Sequence, residues 1–444
     1  MTKIYIDTLG CAKNEYDSQM LAAELEDKGC SIVSDPEIAD ILIVNTCGFI
    51  DDAKKESIEH IFELSEIKGE KKKLIVTGCL SQRYHDELIK EMPEVDMFFG
   101  VNDYDVIPQV ISVMDCLPNV DGVPSFSIKR EVTETSLPYR KRMFKKNVYS
   151  DVLKIAEGCN NACAFCAIPS IRGKYRSKSI EDCVREAEDM AAAGVKEMIV
   201  IAQDTSQYGK DLYGEIKLPE LLTELCKVDG IEWIRLMYVY DNGITDKLID
   251  TIKNEPKICN YLDIPIQHIS DNVLNSMKRR SSGKSIRERI KKLRDNIPDI
   301  HIRTTLLVGF PGETEEDIDE LLQFIDETKI DRLGAFAYSD EEGTAAFNLD
   351  GKLDEDIKQA RRDAVMEHQL VVSEELNSKK IGLKLEVIID EMIEDNLYVG
   401  RTRYDSPDID CEVTVASSSA HKPGDIILVE IIDAYEYDLE GEEI

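Results

Sequence analysis

The 444-residue sequence predicts an α/β protein in three parts. These are an open parallel α/β sheet, a partial (β/α)6 barrel and a small OB-like antiparallel β-barrel. Three apolar strands alternate with helices before residue 120, and six further strand candidates alternate with helices between residues 150 and 350. Short strands separated by proline, glycine and serine follow residue 380. The predicted domains are residues 1–120, a linker over 121–144, and residues 145–376 and 377–444.

The bulk composition is that of a globular protein, with 43% hydrophobic and 32% charged residues. No apolar run is long enough to cross a membrane. The sequence enters a strand pattern at its first residues without a secretory signal, which predicts a cytoplasmic protein. In that compartment, twelve cysteines indicate metal or redox chemistry rather than disulfides.

Each of the first three strands, over residues 3–8, 41–44 and 74–76, leads into a cysteine. Helical patterns follow them at 16–28, 52–67 and 82–91. Because the carboxyl ends of parallel strands share one edge of a sheet, Cys11, Cys47 and Cys79 are predicted to converge on a metal centre. Three unrelated buried cysteines at strand ends are the alternative reading.

The linker is predicted from Pro124, Pro138 and a polar run over residues 133–136. Its basic residues, at 140–142 and 145–146, are expected to be solvated and to complement acidic neighbours.

The central part opens with Cys159, Cys163 and Cys166 in a loop after an apolar strand. An iron–sulfur cluster of four irons normally takes four thiolates, so three leave one iron free for chemistry. A zinc knuckle is the alternative, but zinc sites usually combine paired C-x₂-C units with a fourth ligand. The CxxxCxxC spacing, with Phe165 before the last cysteine, resembles the radical S-adenosylmethionine (SAM) enzymes.

Strand patterns continue at 151–157, 196–202, 232–238, 261–266, 301–308 and 331–338. Folds of this kind carry their active site at the carboxyl ends of the strands. The residues predicted to bind SAM there are Phe165, Gln203, Asp204, Gln267, His268, Thr304 and Tyr338. For His268 alone a structural role is the alternative, and Arg279 and Arg280 are expected to be solvated.

The tail is predicted as a helix over 354–377 and strands at 384–389, 397–403, 412–415 and 426–432. Residues 377–444 hold 17 acidic and six basic residues, and the whole chain carries a net charge of −34. Phosphate backbones are repelled by such a surface, so nucleic acid is an improbable direct substrate and a basic protein is the expected partner. Asp405, Asp408 and Asp410 are expected to be rim charges that speed this encounter.

Several motifs together resemble the radical SAM methylthiotransferases over essentially the whole chain. They lie at residues 9–18, 45–47, 77–79, 159–166 and 308–313. Those at 167–173, 202–205 and 400–410 are similar to the RimO type, which modifies a ribosomal protein. This resemblance implies two 4Fe-4S clusters, one on each cysteine triad, SAM as cofactor and a terminal TRAM domain.

The resemblance further implies methylthiolation of an aspartate β-carbon in protein twelve of the small ribosomal subunit, either free or in the ribosome. The acidic TRAM domain is expected to dock this substrate, and a flavodoxin or ferredoxin is expected to supply electrons. Two alternatives remain at this stage. One is a tRNA adenosine methylthiotransferase, and the other is a non-catalytic iron–sulfur electron carrier or redox sensor.

Overall fold

A computed structural model describes residues 1–69, 71–114, 126–131 and 136–444. The first domain is a six-stranded parallel sheet with the order β2-β1-β3-β4-β5-β6. Its strands are β1 Lys3–Thr8, β2 Ser31–Ile32, β3 Ile41–Thr46, β4 Lys73–Gly78, β5 Met97–Phe99 and β6 Phe126–Ile128. Its helices are α1 Ala12–Asp27, α2 Asp51–Lys68, α3 Cys79–Arg83, α4 His85–Glu91 and α5 Ile107–Ser112.

The centre of this sheet is covered on both faces. Every residue of β3 is buried, as expected for a continuous apolar strand in a parallel sheet. The predicted parallel α/β fold is confirmed, and β1, β3 and β4 are adjacent in the sheet. The short strands β2, β5 and β6 were not predicted, because two or three residues carry too little periodicity to be recognised.

The central domain is a second six-stranded parallel sheet, with the order β14-β13-β12-β11-β10-β7. Its strands are β7 Ser150–Lys154, β10 Glu197–Ile201, β11 Trp233–Leu236, β12 Ile258–Asp263, β13 His301–Val308 and β14 Arg332–Ala337, and β8 Ala156–Glu157 pairs with β9 Arg176–Ser177. Its helices are α6 Ile168–Arg172, α7 Ile180–Ala193, α8 Lys210–Tyr213, α9 Leu218–Leu225, α10 Asp246–Asn254, α11 Asp271–Ser276, α12 Gly283–Asn296 and α13 Glu315–Thr328. All six predicted strands are present, and the outer helices bury the largest apolar cluster of the described chain against them.

The last part is α14 Glu355–Ser378 followed by a closed barrel with the order β15-β16-β17-β19-β18. Its strands are β15 Lys384–Glu394, β16 Leu397–Thr402, β17 Val413–Ala416, β18 Ile426–Ala434 and β19 Leu439–Glu443. The closed barrel is confirmed, but it is not wholly antiparallel, because β17 and β19 run parallel. A ring of five strands cannot alternate direction at every step, so one parallel pair is unavoidable once the unpredicted β19 closes the barrel.

The predicted linker, residues 121–144, is only partly described. Residues 121–125 and 132–135, which include Pro124 and most of the polar run, lie outside the described residues. The complementary charges are confirmed where Arg140 and Lys141 pair with Glu24 and Asp27 of α1. Arg142, however, is not solvated, because its side chain is buried in an ion pair with Glu186.

The C-terminal barrel is attached near the amino-terminal ends of the strands of the central sheet. Glu197, the first residue of β10, lies 3.0 Å from Nη1 of Arg401 and 2.8 Å from Nη2 of Arg235. Burial alone would raise the pKa of Glu197, but these two guanidinium groups outweigh it and lower the pKa to about 2. The chemistry expected at the opposite, carboxyl-terminal ends is therefore separated from this attachment by the length of the strands.

The expectation that the aspartates of residues 400–410 are rim charges is wrong for two of the three. Asp405 is fully buried, with Oδ1 2.6 Å from Nη2 of Arg332 on β14. Asp410 accepts a hydrogen bond from the Tyr261 hydroxyl and pairs with Arg303. Only Asp408 is exposed, so two of the three aspartates join the barrel to the central domain.

Among the helices of the described residues, none is long and apolar enough to span a membrane.

We predict that Asp405→Asn lowers the unfolding free energy at pH 7 by about 3 kcal/mol, because it leaves a buried Arg332 without its anion. Arg332 and Lys380 hold the pKa of Asp405 well below its usual value against the effect of burial. A carboxylate with a lowered pKa stabilises the folded protein above the pKa of about 4 that it has in the unfolded chain, and this contribution is lost as the pH falls below that value. The difference in unfolding free energy between wild type and Asp405→Asn should therefore shrink in acid. Urea unfolding from pH 7 to 3 measures this.

Asp408→Asn is the matched control, since it makes the same charge change at an exposed position of the same motif. It should change the unfolding free energy by less than about 0.5 kcal/mol. Equal effects of the two substitutions would show that the Arg332–Asp405 pair does not hold the domains together.

Candidate metal centres at the seam between two domains

The three N-terminal cysteines meet at one edge of the first sheet. Cys47 and Cys79 follow β3 and β4 directly, Cys11 lies three residues after the end of β1, and Cys79 begins α3. Gly10 makes the approach possible, because a Cβ there would lie 2.6 Å from Cβ and 2.8 Å from Sγ of Cys47. Gly10 also has a positive φ of 89°, a conformation that other residues adopt only under strain. The predicted convergence of Cys11, Cys47 and Cys79 is what the structure shows.

The electrostatics of this first triad suit a cationic group. Burial raises the pKa of Cys79 to about 12, Arg172 opposes that rise, and the neighbouring Cys11 and Cys47 add to it. Burial also raises the pKa of Cys47, and Cys11 contributes. The buried thiols of Cys47 and Cys79, which resist ionisation in the protein alone, would become thiolates on a metal cluster, which supplies the missing positive charge.

The second triad, Cys159, Cys163 and Cys166, lies in the loop after β8. Backbone hydrogen bonds fix the loop at both ends: Cys159 N donates to Gly173 O at 3.1 Å, and Ala164 N donates to Met277 O at 2.9 Å. Burial raises the pKa of Cys166 to about 12, and its neighbours Cys163 and Cys159 contribute. Each triad therefore contains a buried cysteine whose pKa is raised to about 12, Cys79 in the first and Cys166 in the second.

Two residues that touch this second triad were not predicted to do so. The Tyr240 hydroxyl lies 3.5 Å from Sγ of Cys163, and Nη1 of Arg279 donates to the same sulfur at 3.6 Å. The expectation that Arg279 is solvated is wrong, since it is only 8% exposed and its Nη2 also donates to Pro265 O at 2.6 Å. Arg280, its neighbour, is exposed as expected.

Within the described ranges, no group of three or more His, Cys, Asp or Glu side chains is close enough to share one metal ion. The ligands of a four-iron cluster bind different irons and stand farther apart, so this observation leaves the cluster hypothesis untouched.

Among the residues predicted to bind SAM, Gln203 and Asp204 approach the second triad in different ways. Gln203 is half-buried and donates from Nε2 to Oε1 of Glu157 at 2.6 Å, while its buried Oε1 has no partner among the described residues. Asp204 is buried and accepts from Nδ2 of Asn161 at 2.7 Å, so it orients the cysteine loop. Gln203 thus keeps a free acceptor that Asp204 lacks.

Phe165 and Tyr338 belong to a small apolar cluster with Phe310. Tyr338 is 2% exposed, and its ring lies edge-on to Phe310 with centroids 5.1 Å apart. Phe165 is half-buried, and it brings the cysteine loop against this cluster. These aromatic rings form an apolar wall beside the second triad.

The remaining three candidates lie around the ends of β12 and β13. Gln267 is half-buried and adopts a φ of 71°, fixed by backbone hydrogen bonds to Thr305 and Leu307. His268 is fully buried, and burial lowers its pKa to about 4, so it is a neutral side chain at pH 7. Thr304 faces the outer helices and donates to Ile264 O at 2.7 Å, so its hydroxyl is already occupied.

A buried ion network connects the two triads. Nη1 of Arg172 lies 2.9 Å from Oδ2 of Asp17 on α1 and 3.0 Å from Oε2 of Glu157, which is two residues before Cys159. Its Nη2 donates to Oδ1 of Asn14 at 2.7 Å and to Sγ of Cys79 at 3.4 Å. One guanidinium therefore touches the first triad and the strand that leads into the second.

Lys154 completes the network, with Nζ 2.5 Å from Oδ1 of Asp17 and 2.6 Å from Oε2 of Glu157. All four charged side chains of the network are at most 8% exposed. Two cations balance two anions, so burial of the set is tolerated only while every member is present. This seam holds the first domain against the carboxyl-terminal edge of the central sheet.

Three segments of the chain match known protein families. Residues 3–100 match the model of uncharacterized protein family UPF0004, residues 153–325 that of the radical SAM superfamily, and residues 381–444 that of the TRAM domain. Similar solved structures are the radical SAM methyltransferase TsrM from Kitasatospora setae and the cobalamin-dependent radical SAM enzyme OxsB. The match to TsrM has a TM-score of 0.57 at 14% identity and covers 75% of this chain and 72% of TsrM. The match to OxsB has a TM-score of 0.51 at 10% identity and covers 83% of this chain and 56% of OxsB.

These similarities define the class: the chain is a radical SAM protein with an additional α/β domain and a TRAM barrel. Among its relatives are the ribosomal protein uS12 methylthiotransferases RimO of Clostridioides difficile (48% identical, covering 100% of this chain and 99% of the relative) and Thermoanaerobacter sp. (46% identical, covering 100% of both). The RimO of Geobacter sulfurreducens is 45% identical and covers 99% of this chain and 98% of the relative. The chain belongs to the RimO family of ribosomal protein uS12 methylthiotransferases.

We predict that Arg172→Leu lowers the unfolding free energy of the iron-free protein by about 3–5 kcal/mol, because Asp17 and Glu157 are left with one cation. Arg172→Lys should lower the unfolding free energy by less, since lysine keeps the positive charge but not the two-pronged contacts of the guanidinium group. Urea titration of the purified iron-free protein measures both.

Arg140→Leu is the matched control, because Arg140 also pairs across the seam, with Glu24, but both side chains are about a quarter exposed. It should cost less than about 1 kcal/mol. A loss for Arg172→Leu no larger than this control would contradict the role of the network.

Proposed function

We propose that this chain exchanges a hydrogen for a methylthio group on the β-carbon of an aspartate in ribosomal protein uS12. The observation that carries the proposal is that two three-thiol sites stand on opposite sides of one buried seam, joined through Arg172. Insertion of a sulfur group into an unactivated C–H bond needs both a hydrogen-abstracting radical and a sulfur donor. Two cysteine triads linked through Arg172 are suited to supply a place for each.

The residues present fit the two clusters implied by the family. Cys159, Cys163 and Cys166 would hold one 4Fe-4S cluster and leave an iron for SAM, while Cys11, Cys47 and Cys79 would hold the other. When bound, these groups supply an electron that splits SAM into methionine and a 5′-deoxyadenosyl radical, and a sulfur that a second SAM methylates. A flavodoxin or ferredoxin is the proposed source of the electrons.

The chain's own residues hold and enclose this chemistry. Asp204 fixes the cysteine loop through Asn161, and Arg279 places a positive charge against Cys163. The unpartnered Oε1 of Gln203 is suited to accept a hydrogen bond from SAM, and Phe165 and Tyr338 are suited to exclude water from a reactive radical. Gln267 stays a candidate contact for SAM. Thr304 does not, because its hydroxyl already donates to Ile264 O, and His268 does not, because it is fully buried.

The docking surface that we propose for the basic substrate is the tip of the β15–β16 hairpin. All six residues from 391 to 396 are exposed. They combine Glu391, Glu394 and Asp395 with Met392 and Ile393, which are 58% and 47% exposed. Acidic residues around apolar ones favour a positively charged protein surface and repel a phosphate backbone.

The reaction itself tests the proposed function. The reconstituted protein with dithionite, SAM and uS12 should add a methylthio group to one aspartate of uS12, as measured by mass spectrometry of its peptides. Modification of tRNA instead of uS12 would establish the tRNA alternative, and absence of SAM cleavage would leave only an electron-transfer role.

We predict that alanine at Cys159, Cys163 or Cys166 abolishes formation of 5′-deoxyadenosine, because each variant leaves two thiolates for the cluster that faces SAM. Alanine at Cys11, Cys47 and Cys79 together should lower iron per chain by about half and stop methylthiolation, while SAM is still split. Iron analysis and chromatography of the nucleoside products measure this.

Cys226→Ala is the control, since this half-buried cysteine lies at the end of α9 outside both triads. It should keep full iron content and both activities. Unchanged iron in the triple variant, or SAM cleavage in any variant of the second triad, would overturn the ligand assignment.

We predict that Glu391→Gln, Glu394→Gln and Asp395→Asn together slow association with uS12 several-fold at low salt. Exposed charges act chiefly on encounter rates, and salt screens them, so the difference should disappear towards about 1 M salt. Stopped-flow association measured over a range of ionic strength tests this.

The control carries the same loss of three charges away from the TRAM barrel, as Asp229→Asn, Asp250→Asn and Glu367→Gln, all at exposed positions. It should slow association much less. Equal effects of the two triple variants would mean that net charge alone, rather than the hairpin tip, attracts the substrate.

A further inference from the structure

Lys13 places a positive charge in the seam. It lies in the first turn of α1, two residues after Cys11, and its side chain reaches the central domain. There Nζ lies 3.4 Å from the centroid of the Tyr238 ring, and the residue is only 9% exposed.

This ammonium group has no anionic partner in the part of the chain that the structure describes. The other lysines buried in that part are Lys154, Lys178, Lys358 and Lys380, and each donates a hydrogen bond to a side-chain oxygen. Lys13 has only the face of an aromatic ring, which offsets part of the cost of removing an ammonium from water. In a chain with 88 acidic residues, such an unpaired buried cation is unexpected for a purely structural lysine.

The ring that holds Lys13 is itself fixed. Tyr238 has a φ of 59°, a left-handed conformation that is strained for tyrosine. Three hydrogen bonds maintain it: Tyr238 N donates to Oδ2 of Asp263 at 3.0 Å, and the backbone N and the hydroxyl of Thr205 each donate to Tyr238 O at 3.0 Å. The position of the ammonium is therefore set by the backbone of the central domain.

Lys13 also lies between the two triads. Cys11 of the first triad is two residues away along the chain, and Tyr240, which contacts Cys163 of the second triad, is two residues beyond Tyr238. A group that receives sulfur from one site and loses hydrogen to the other must reach this region. The charge of Lys13 is thus placed where the acceptor has to enter.

We propose that Lys13 is a carboxylate-binding residue that receives the side-chain carboxylate of the acceptor, an inference that rests on the proposed function. The ring covers one side of the ammonium, which leaves donors free for a carboxylate oxygen. The β-carbon of an aspartate is bonded directly to that carboxylate, so holding the carboxylate fixes the reacting C–H bond within narrow limits. A neutral amide or a nucleobase would not satisfy the charge, which gives specificity for an acid.

The experiment is a double-mutant cycle on binding, measured by calorimetry with the reconstituted protein. Its four titrations combine wild type and Lys13→Met with uS12 and with uS12 whose acceptor aspartate is replaced by asparagine. Wild type should bind the aspartate form about tenfold to a hundredfold more tightly than the asparagine form, the range of a charge-assisted hydrogen bond. Lys13→Met should bind both forms equally and weakly, while Lys13→Arg should recover part of the preference.

SAM is the other source of a carboxylate, so SAM affinity is measured for the same proteins. A loss of SAM affinity in Lys13→Met, with the aspartate preference intact, would assign the site to SAM and overturn the acceptor proposal. Lys28→Met, an exposed lysine just after the end of α1, is the matched control and should leave both affinities unchanged.

The outcomes separate this inference from the proposed function. If wild type fails to bind or modify uS12, the proposed function itself is wrong. If wild type binds and modifies uS12 but Lys13→Met keeps the preference for aspartate, only the role of Lys13 is wrong. Thermal unfolding of Lys13→Met and Lys13→Arg confirms that both are folded, and if Lys13→Met is not, the Lys13→Arg cycle decides alone.

Discussion

The guanidinium group of Arg172 is the contact on which the rest of the arrangement depends. It reaches Asp17, Asn14 and Cys79 in the first domain and Glu157 in the central domain, with Lys154 balancing the charge. A lysine could not make these contacts, because they need the forked donors of arginine. Since the network is buried and complete only when both domains are in place, it fixes their relative position. Arg172 contacts Cys79 of the first triad and Glu157, two residues before Cys159 of the second, and the interpretation as a paired-site enzyme rests on this link.

The opposite ends of the central strands have different tasks. At the carboxyl ends, loops carry the second triad, Gln203, Tyr240 and Arg279. At the amino-terminal ends, buried pairs such as Glu197–Arg401 and Arg332–Asp405 attach the TRAM barrel. This division is typical of β/α folds, in which chemistry and stability are assigned to opposite faces.

The sequence predicts the longer strands and the approach of Cys11, Cys47 and Cys79 for a physical reason, while the role of the six cysteines as cluster ligands stays a prediction. Continuous apolar runs identify parallel strands, and parallel strands place the residues after them at one edge, so the convergence of Cys11, Cys47 and Cys79 needs no distance information. The ion pairs were not predictable in this way. The sequence predicts an exposed charge at Asp405, yet this residue lies in a pair with Arg332, 73 residues earlier in the chain. The same limit applies to Arg279, which is buried although its neighbour Arg280 is exposed. It also applies to Thr304, because the sequence does not show whether its side chain lies on the face of β13 that the outer helices cover or on the opposite face. Partners of charged side chains depend on tertiary structure, which no local pattern encodes.

The central claim is that two iron–sulfur clusters stand on either side of the Arg172 network. The most direct test is a crystal structure of the anaerobically reconstituted protein with diffraction data collected at the iron absorption edge. The account predicts two anomalous peaks, one within the Cys11, Cys47 and Cys79 triad and one within the Cys159, Cys163 and Cys166 triad, with Arg172 between them. A single peak, or a second peak away from the first triad, would contradict it.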